Sequence, residues 1–251
     1  MIIDLNSFIG TWPSHPVEGQ PDVVWTQLRA LGVTRIYASS LASVWCRNPH
    51  VYNEPLYEAA SQTEDVWPVP VLDPSVSTWK RELDRALAQD RVQLVRLLPN
   101  YHQYDLNDIG DILEALVDAK LGAIVQVCME DIRRQHPLSQ VPNVSVSDVF
   151  DVAERFSKLR LIIGGAKAGE IRGAKARLLS LPNLYADVSQ VDGLNAIRVL
   201  VDEGLEAKLV FGSHAPLFIP YAALGRVVTD LDDEATEAIL NGNALRFLSG
   251  G

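Results

Sequence analysis

Lys208-Leu209-Val210-Phe211-Gly212-Ser213-His214-Ala215-Pro216 is a short apolar run that ends abruptly in a glycine, a hydroxyl and an imidazole. A titratable side chain just past a predicted strand is the arrangement by which a parallel α/β barrel displays its chemistry, because the loops at the C-terminal strand ends form the working face. The opposite end of the chain repeats the pattern. Ile2-Ile3-Asp4-Leu5-Asn6-Ser7-Phe8-Ile9-Gly10 is a second apolar strand ending in polar groups, and the two ends are expected to meet in one site.

Between them, apolar β-rich runs alternate with amphipathic stretches. The runs are Ile2 to Leu5, Arg35 to Ala38, Val66 to Leu72, Gln93 to Leu98, Ala123 to Val127, Leu159 to Ile163, Leu184 to Val188 and Lys208 to Phe211. Their spacing, about 25 to 35 residues, is the length of one strand-helix unit, and near-continuous apolarity is what strands covered on both faces require. Eight such units in 251 residues predict an α/β fold, a (β/α)8 TIM barrel, as one domain over residues 1–251. Trp79 to Ala88 sets Trp79, Leu83, Ala86 and Leu87 at helical spacing, with Lys80, Arg81 and Glu82 expected to face outward. Ile109 to Ala119 does the same with Ile112, Leu113, Leu116 and Val117. The long aperiodic stretches, Thr11 to Pro21, Ser40 to Asn53, Pro99 to Asn107 and Met129 to Val146, each follow a predicted strand and so fall on the working face. Gly164-Gly165-Ala166-Lys167-Ala168-Gly169 lacks the residue order of a phosphate loop.

Composition narrows the partners. A formal net charge of −10 opposes binding to a phosphate backbone, which draws on clustered Lys and Arg, so no nucleic-acid partner is expected. No apolar run approaches the roughly 20 residues that span a bilayer, and the chain opens on a strand rather than on a basic-then-apolar leader. The two cysteines, Cys46 and Cys128, are expected to pack rather than to bridge. A soluble cytoplasmic protein acting on a small molecule is the expectation.

Barrel register brings a polar set to the mouth: Asn6, Arg96, Gln126, Asp187, His214 and the pair Glu130-Asp131. His214 is the natural acid-base group, since an imidazole exchanges protons near neutral pH, with Asp187 or Glu130 to orient it; a satisfied structural histidine is the alternative. Arg96 lies inside an apolar strand. Its charge needs a partner there, either an internal carboxylate (Asp4 or Glu130) or the carboxylate of a substrate. Tyr101 and His102, in the following loop, are further candidates to touch a ligand. Asn6, Arg96, Tyr101, His102, Gln126 and Asp131 are therefore read as substrate-binding, and His214, Asp187 and Glu130 as catalytic. His15, His50, Trp12 and Trp45 rank behind them, as residues of the entrance loops.

Four stretches together resemble the amidohydrolase-related TIM-barrel proteins: the opening Ile-Ile-Asp-Leu-Asn-Ser-Phe-Ile-Gly, Val95-Arg96-Leu97-Leu98-Pro99-Asn100-Tyr101-His102, Leu209 to Pro216, and Ile239-Leu240-Asn241-Gly242-Asn243-Ala244-Leu245-Arg246. The resemblance implies small decarboxylase or lactone- and amide-hydrolase chemistry, and pairing as a homodimer through outer helices. It also implies a divalent metal, zinc or manganese, held by a first-strand Asp-x-His-x-His, by histidines ending the fifth and sixth strands and by an aspartate ending the eighth. This chain departs from that pattern. Asn6 and Phe8 stand for the first two histidines, Gln126 or Cys128 and Gly164-Gly165 for the next, and His214 for the aspartate. No cofactor and no family metal site are therefore expected, and the leading expectation is a hydrolase or decarboxylase-type lyase acting on a carboxylate or lactone. A non-catalytic binder derived from such a barrel is the second reading. A divergent metal site made of Asp4, Glu130, Asp187 and His214 is the third.

Overall fold

The computed structural model describes residues 1–250. All eight expected strands are present and parallel to their neighbours: β1 (Ile2–Ile9), β2 (Val33–Ser40), β3 (Val66–Pro68), β4 (Leu94–Leu97), β5 (Gly122–Gln126), β6 (Leu161–Gly164), β7 (Leu184–Asp187) and β8 (Leu209–Val210). Helices between successive strands cover the outside, as in Pro21–Ala30, Asn53–Ser61, Trp79–Leu87, Gly110–Asp118 and Val146–Arg155. The ladder falls into two arcs, β1-β2-β3 and β4-β5-β6-β7-β8, and a few backbone bonds carry the ring across both gaps. Arg96 N–H donates to Pro70 O at 2.8 Å and Leu72 N–H to Arg96 O at 3.1 Å, while Leu5 N–H reaches Phe211 O at 3.0 Å and Phe8 N–H reaches Ala215 O at 2.8 Å.

The first gap has a cause in the sequence. The run expected to be one strand from Val66 to Leu72 is cut at Pro68, because Pro68 and Pro70 have no N–H to give a ladder. The segment predicted from Trp79 also differs in detail. Glu82, expected to face outward, is buried, taking a hydrogen bond from Asn53 Nδ2 at 3.0 Å and lying 3.5 Å from Arg85; Leu87, expected inside, is exposed. A helix stripe pattern registers apolar carbon and cannot see that a buried amide will receive a carboxylate.

Packing sorts by height along the barrel axis. Ile3, Leu5, Tyr37, Val69, Leu94, Ile124, Ile162, Tyr185 and Val210, drawn from all eight strand segments, form one inner cluster that Phe247 stoppers from below. Two residues further along, the strand period of two puts Arg96, Gln126, Gly164, Asp187 and Gly212 in the next inner layer. The register of β1 against β2 slips between Asp4 and Ser7, which brings Asn6 into that layer too. Above it, Phe8, Trp12, Leu41, Val44, Val71, Leu98, Met129 and Leu217 form an apolar plug. A large outer cluster joins strands to helices.

Candidate functional site

The inner polar layer is centred on Arg96. Its side chain is fully buried; Nε donates to Ser39 Oγ at 2.7 Å, and Nη1 donates to Asn6 Oδ1 at 2.9 Å and to Gln126 Oε1. The guanidinium lies over the face of Phe8, 4.2 Å from the ring centre, a contact worth about 2 kcal/mol when desolvated. Burial pulls its pKa down to about 9 against the pull of Asp187 and Asp4, so it is a cation at neutral pH. Nη2 has no partner.

The two buried aspartates hang on this centre through neutral donors. Asn6 Nδ2 donates to Asp187 Oδ2, and Asp187 Oδ1 accepts from Ser189 Oγ at 2.6 Å, Ser189 N at 3.0 Å and Gly165 N at 3.1 Å. Burial raises the Asp187 pKa despite those donors. Asp4 accepts from Ser213 Oγ at 2.5 Å and Ser213 N at 3.0 Å, and burial pushes it up to about 6. The glycines follow from this crowding. A Cβ on Gly164 would lie 2.7 Å from Gln126 Oε1, and one on Gly212 would lie 2.8 Å from the Cβ of Asn6.

His214 sits beside this layer at φ +57, a left-handed conformation uncommon for a residue with a Cβ. Its N–H donates to Asn6 O at 2.8 Å, and its ring packs on Phe8 and Phe218 at centroid distances of 5.1 and 4.9 Å. Nε2 lies 2.7 Å from Met129 O. A carbonyl only accepts, so Nε2 carries the proton and Nδ1 is bare; Nδ1 has no partner. Burial pulls its pKa down to about 3, with Arg96 and Lys167 pushing the same way and the Met129 carbonyl opposing, so the imidazole is neutral. The expected orienters are not there, since Asp187 is engaged by Asn6, Ser189 and Gly165, and Glu130 accepts from Trp12 Nε1 at 3.0 Å with its other oxygen facing His15 Nδ1 at 3.6 Å. Neither does Arg96 form the expected internal ion pair; its partners are neutral oxygens.

Asn6, Arg96, Gln126, Asp187 and His214 are thus brought together, with Glu130 and the Tyr101 hydroxyl in the aromatic group just above, where Tyr101 meets Trp45 edge-on at 5.0 Å. Burial, then the Glu130 charge, raises the Tyr101 pKa. His102 and Asp131 stand apart. His102 donates through Nε2 to Ser43 O at 3.0 Å, beside Asp73 and under the loops where His50 accepts from Asp73 N–H; Asp131 turns to the surface, where it accepts from Arg133 N at 2.9 Å and pairs with the Arg133 guanidinium. Consecutive residues point apart, which is why Glu130 goes inward and Asp131 outward.

The plug closes the mouth above Arg96, and open space lies to one side of it. A cavity of about 420 Å3 is walled by Arg134, Lys167, Gln190, Asp192 and Arg226, with Leu217, Phe218 and Ile219 as its apolar face. A second, of about 330 Å3, shares Arg134 and the Leu217–Ile219 segment and extends to His15 and Tyr221. Hydrogen bonds connect the first cavity to the centre: Lys167 Nζ donates to Gln190 Oε1, and Gln190 Nε2 and Gln126 Nε2 both donate to Cys128 O at 2.8 Å. Lys167, Arg226 and Arg134 are not among the residues that sequence reading singled out. The available signal was position, since each follows a predicted strand.

A family model described as Amidohydrolase matches residues 17–250. The chain belongs to the amidohydrolase family. Among solved structures, this amidohydrolase is similar to a TIM-barrel protein of Bordetella bronchiseptica (17% identity, TM-score 0.68, covering 93% of this chain and 84% of that one). It is also similar to a probable 2-pyrone-4,6-dicarboxylic acid hydrolase of Acinetobacter baumannii with citric acid bound (15%, 0.66, 99% of each chain). A third is a 5-carboxyvanillate decarboxylase of Novosphingobium aromaticivorans with bound manganese and a nitrobenzoic acid (13%, 0.66, 90% and 80%). At such identities the likeness is one of fold. No curated protein matches.

The metal implied by the family meets an unsuitable donor set here. Phe8 has no donor atom, and the amide oxygens of Asn6 and Gln126 are already taken by a guanidinium whose positive charge would oppose a second cation. Among the described residues no three His, Cys, Asp or Glu side chains form a group able to hold a metal ion, and Asp4, Glu130, Asp187 and His214 are each held by separate partners. These residues do not fit a divalent cation.

Proposed function

We propose that this amidohydrolase acts on a small carboxylate-bearing molecule, by hydrolysis or decarboxylation, at the C-terminal mouth of the barrel and without the divalent metal of its relatives. One observation carries the reading. Arg96 Nη2, His214 Nδ1, Glu130 Oε2 and the Tyr101 hydroxyl are all buried towards the mouth with no hydrogen-bond partner among the described residues. An unsatisfied buried polar atom costs about 1–3 kcal/mol, and four in one place suit a surface built for a ligand. Their chemistry is complementary: Arg96 Nη2 offers a donor to an oxyanion, and the bare Nδ1 of a neutral His214 offers an acceptor to a hydroxyl or water. Phe218, whose ring packs tilted against His214 and lines both cavities, joins the imidazole to that open space. The relatives with citric acid and with a nitrobenzoic acid bound favour a carboxylate as the recognised group. Unpaired Cys46 and Cys128 favour a reducing compartment, the cytoplasm, and no helix among the described residues is long and apolar enough to cross a membrane.

Turnover of a panel of aromatic carboxylates, lactones and pyrone carboxylates tests the reading, with His214→Ala abolishing it while the protein stays folded. Wild-type rates in that variant would remove His214 from catalysis. Arg96→Met should weaken carboxylate binding, and unchanged affinity would sink the clamp. A second reading, a small-molecule binder without turnover, is favoured by the apolar plug that covers Arg96 and His214. It predicts ligand binding with no product from any member of the panel.

A further inference from the structure

The chain has 5 histidines, and they divide by what their two ring nitrogens meet. His50 and His214 are buried, and neither lies against a carboxylate; they are held by Asp73 N–H and by the Met129 carbonyl. His102 has Asp73 Oδ2 3.7 Å from Nδ1, but its proton is on Nε2, donated to Ser43 O, so a bare nitrogen faces the acid and the side chain is shut in. His136 is exposed, and its Nδ1 accepts from Leu138 N–H at 3.2 Å. Among the five, His15 alone combines a carboxylate at one nitrogen with open space at the other. Arg134 Nη2 donates to His15 Nε2 at 3.0 Å. A guanidinium only donates, so Nε2 is bare and the proton is on Nδ1, which lies 3.6 Å from Glu130 Oε2. The other Glu130 oxygen accepts from Trp12 Nε1 at 3.0 Å, so two side chains of one loop address both oxygens of a buried carboxylate. Oε2 has no hydrogen bond among the described residues, and the 3.6 Å gap is of the kind that tightens when a ligand binds. His15 and Arg134 line the 330 Å3 cavity while Glu130 does not, which puts Nε2 on the open side and the acid behind it.

We propose that His15 and Glu130 form a second acid-base pair of this protein, serving the hydrolysis of a small ester in the 330 Å3 cavity. His15 is the catalytic residue, and Glu130 is the positioning residue that holds its tautomer. A carboxylate behind an imidazole, with the opposite nitrogen turned to the substrate, orients a base and stabilises the cation it becomes. Nε2 takes a proton from a water as the water oxygen bonds to the acyl carbon. It returns that proton to the leaving alkoxide as the C–O bond breaks, so an acid and an alcohol are released and nothing is oxidised or reduced. Arg134 is exposed, and its bond to Nε2 is the only hydrogen bond of its side chain among the described residues. It is a removable cap on the base. The inference rests on the reading of this barrel face as the ligand face and adds to it a base that meets water in the free protein, since the His15 side chain is 23% exposed whereas His214 is fully buried.

Acylation by diethyl pyrocarbonate, followed residue by residue by mass spectrometry, tests the pair without any turnover, with exposed His136 as the internal reference. Arg134→Met uncovers Nε2 and, being on the surface, makes no demand on folding; it should raise the rate at His15 about threefold. Glu130→Gln keeps the size of the side chain and an acceptor for Trp12, and should lower that rate about threefold, because the imidazole loses the charge that favours its cationic form. Imidazole nitrogen chemical shifts of the neutral ring should place the proton on Nδ1. Hydrolysis of para-nitrophenyl acetate should fall about 10-fold or more in His15→Ala, fall through kcat rather than KM in Glu130→Gln, and stay unchanged in His136→Ala. A proton on Nε2, acylation at His15 unmoved by Arg134→Met or by Glu130→Gln, or equal ester hydrolysis in the wild type and His15→Ala would overturn the inference. Turnover of the carboxylate panel that depends on His214, beside an unreactive His15, sinks only this inference. A reactive, Glu130-dependent His15 in a protein that turns over no member of that panel sinks only the carboxylate reading.

Discussion

Arg96 shows how one side chain can organise a barrel mouth. A buried charge costs several kcal/mol to desolvate, and its removal from a paired setting strands the groups that depended on it. Arg96→Met should therefore cost about 3 kcal/mol or more, because Asp187 and Asp4 stay buried without the cation and Asn6 and Gln126 lose their donor; urea unfolding monitored by circular dichroism measures it. His214 makes a second prediction, in pH. Folded, its imidazole resists protonation until about pH 3, whereas the unfolded residue takes its proton near 6.5. The unfolded chain binds more protons in that interval, so stability falls as pH drops through it. Asp4 works the other way, since a folded pKa of about 6 against 3.8 unfolded makes its contribution fall as pH rises between those values. Comparing the wild type with His214→Gln isolates the first effect: between pH 7 and 4 the wild type should lose about 3 kcal/mol more than the variant, at 1.36 kcal/mol per pKa unit. An equal loss in both would mean that the histidine is not buried as described.

At the level of elements, the seam between β8 and β1 decides whether the site exists. β8 has only two residues in the ladder, and the chain then runs through Gly212 against Asn6. Gly212→Ala places a Cβ 2.8 Å from the Cβ of Asn6, so it should destabilise by about 1–3 kcal/mol through overpacking and pull Asn6 off Arg96; a lowered melting midpoint together with weaker carboxylate binding is the expected pair of readouts. The same substitution at Gly110, where nothing lies within 4 Å, should leave both unchanged. The eight strands were legible because burial on both faces leaves short apolar runs, and their recurrence at the length of one strand-helix unit separates them from buried helix. The short length of β3 was legible in principle from Pro68 and Pro70. The slip of β1 against β2, which turns Asn6 inward, was not, since a bulge is set by the neighbouring strand and leaves no mark on composition.

For the whole molecule, the absence of a fitting donor set predicts independence from metal. Protein purified without chelator should carry well below one zinc or manganese per chain by inductively coupled plasma mass spectrometry, and excess EDTA should leave the melting midpoint in place; a drop would mean that folding is linked to a bound cation. The sequence by itself determined the barrel, its strand order and the identity of the inner polar layer, because alternation and spacing are local properties that eight units repeat. It also brought Arg96, Gln126, Asp187 and His214 to one end of the barrel, whereas Asn6 joins them only through the slip of β1. Only the tertiary structure decided what each of them does there. Arg96 is bonded to amides rather than to acids, His214 is locked to the Met129 carbonyl and neutral, Glu130 turns in while Asp131 turns out, and the open cavity lies beside the axis among Arg134, Lys167 and Arg226. These are outcomes of which groups meet across more than a hundred residues of chain, and hydrogen-bond partners and desolvation depend on that meeting alone.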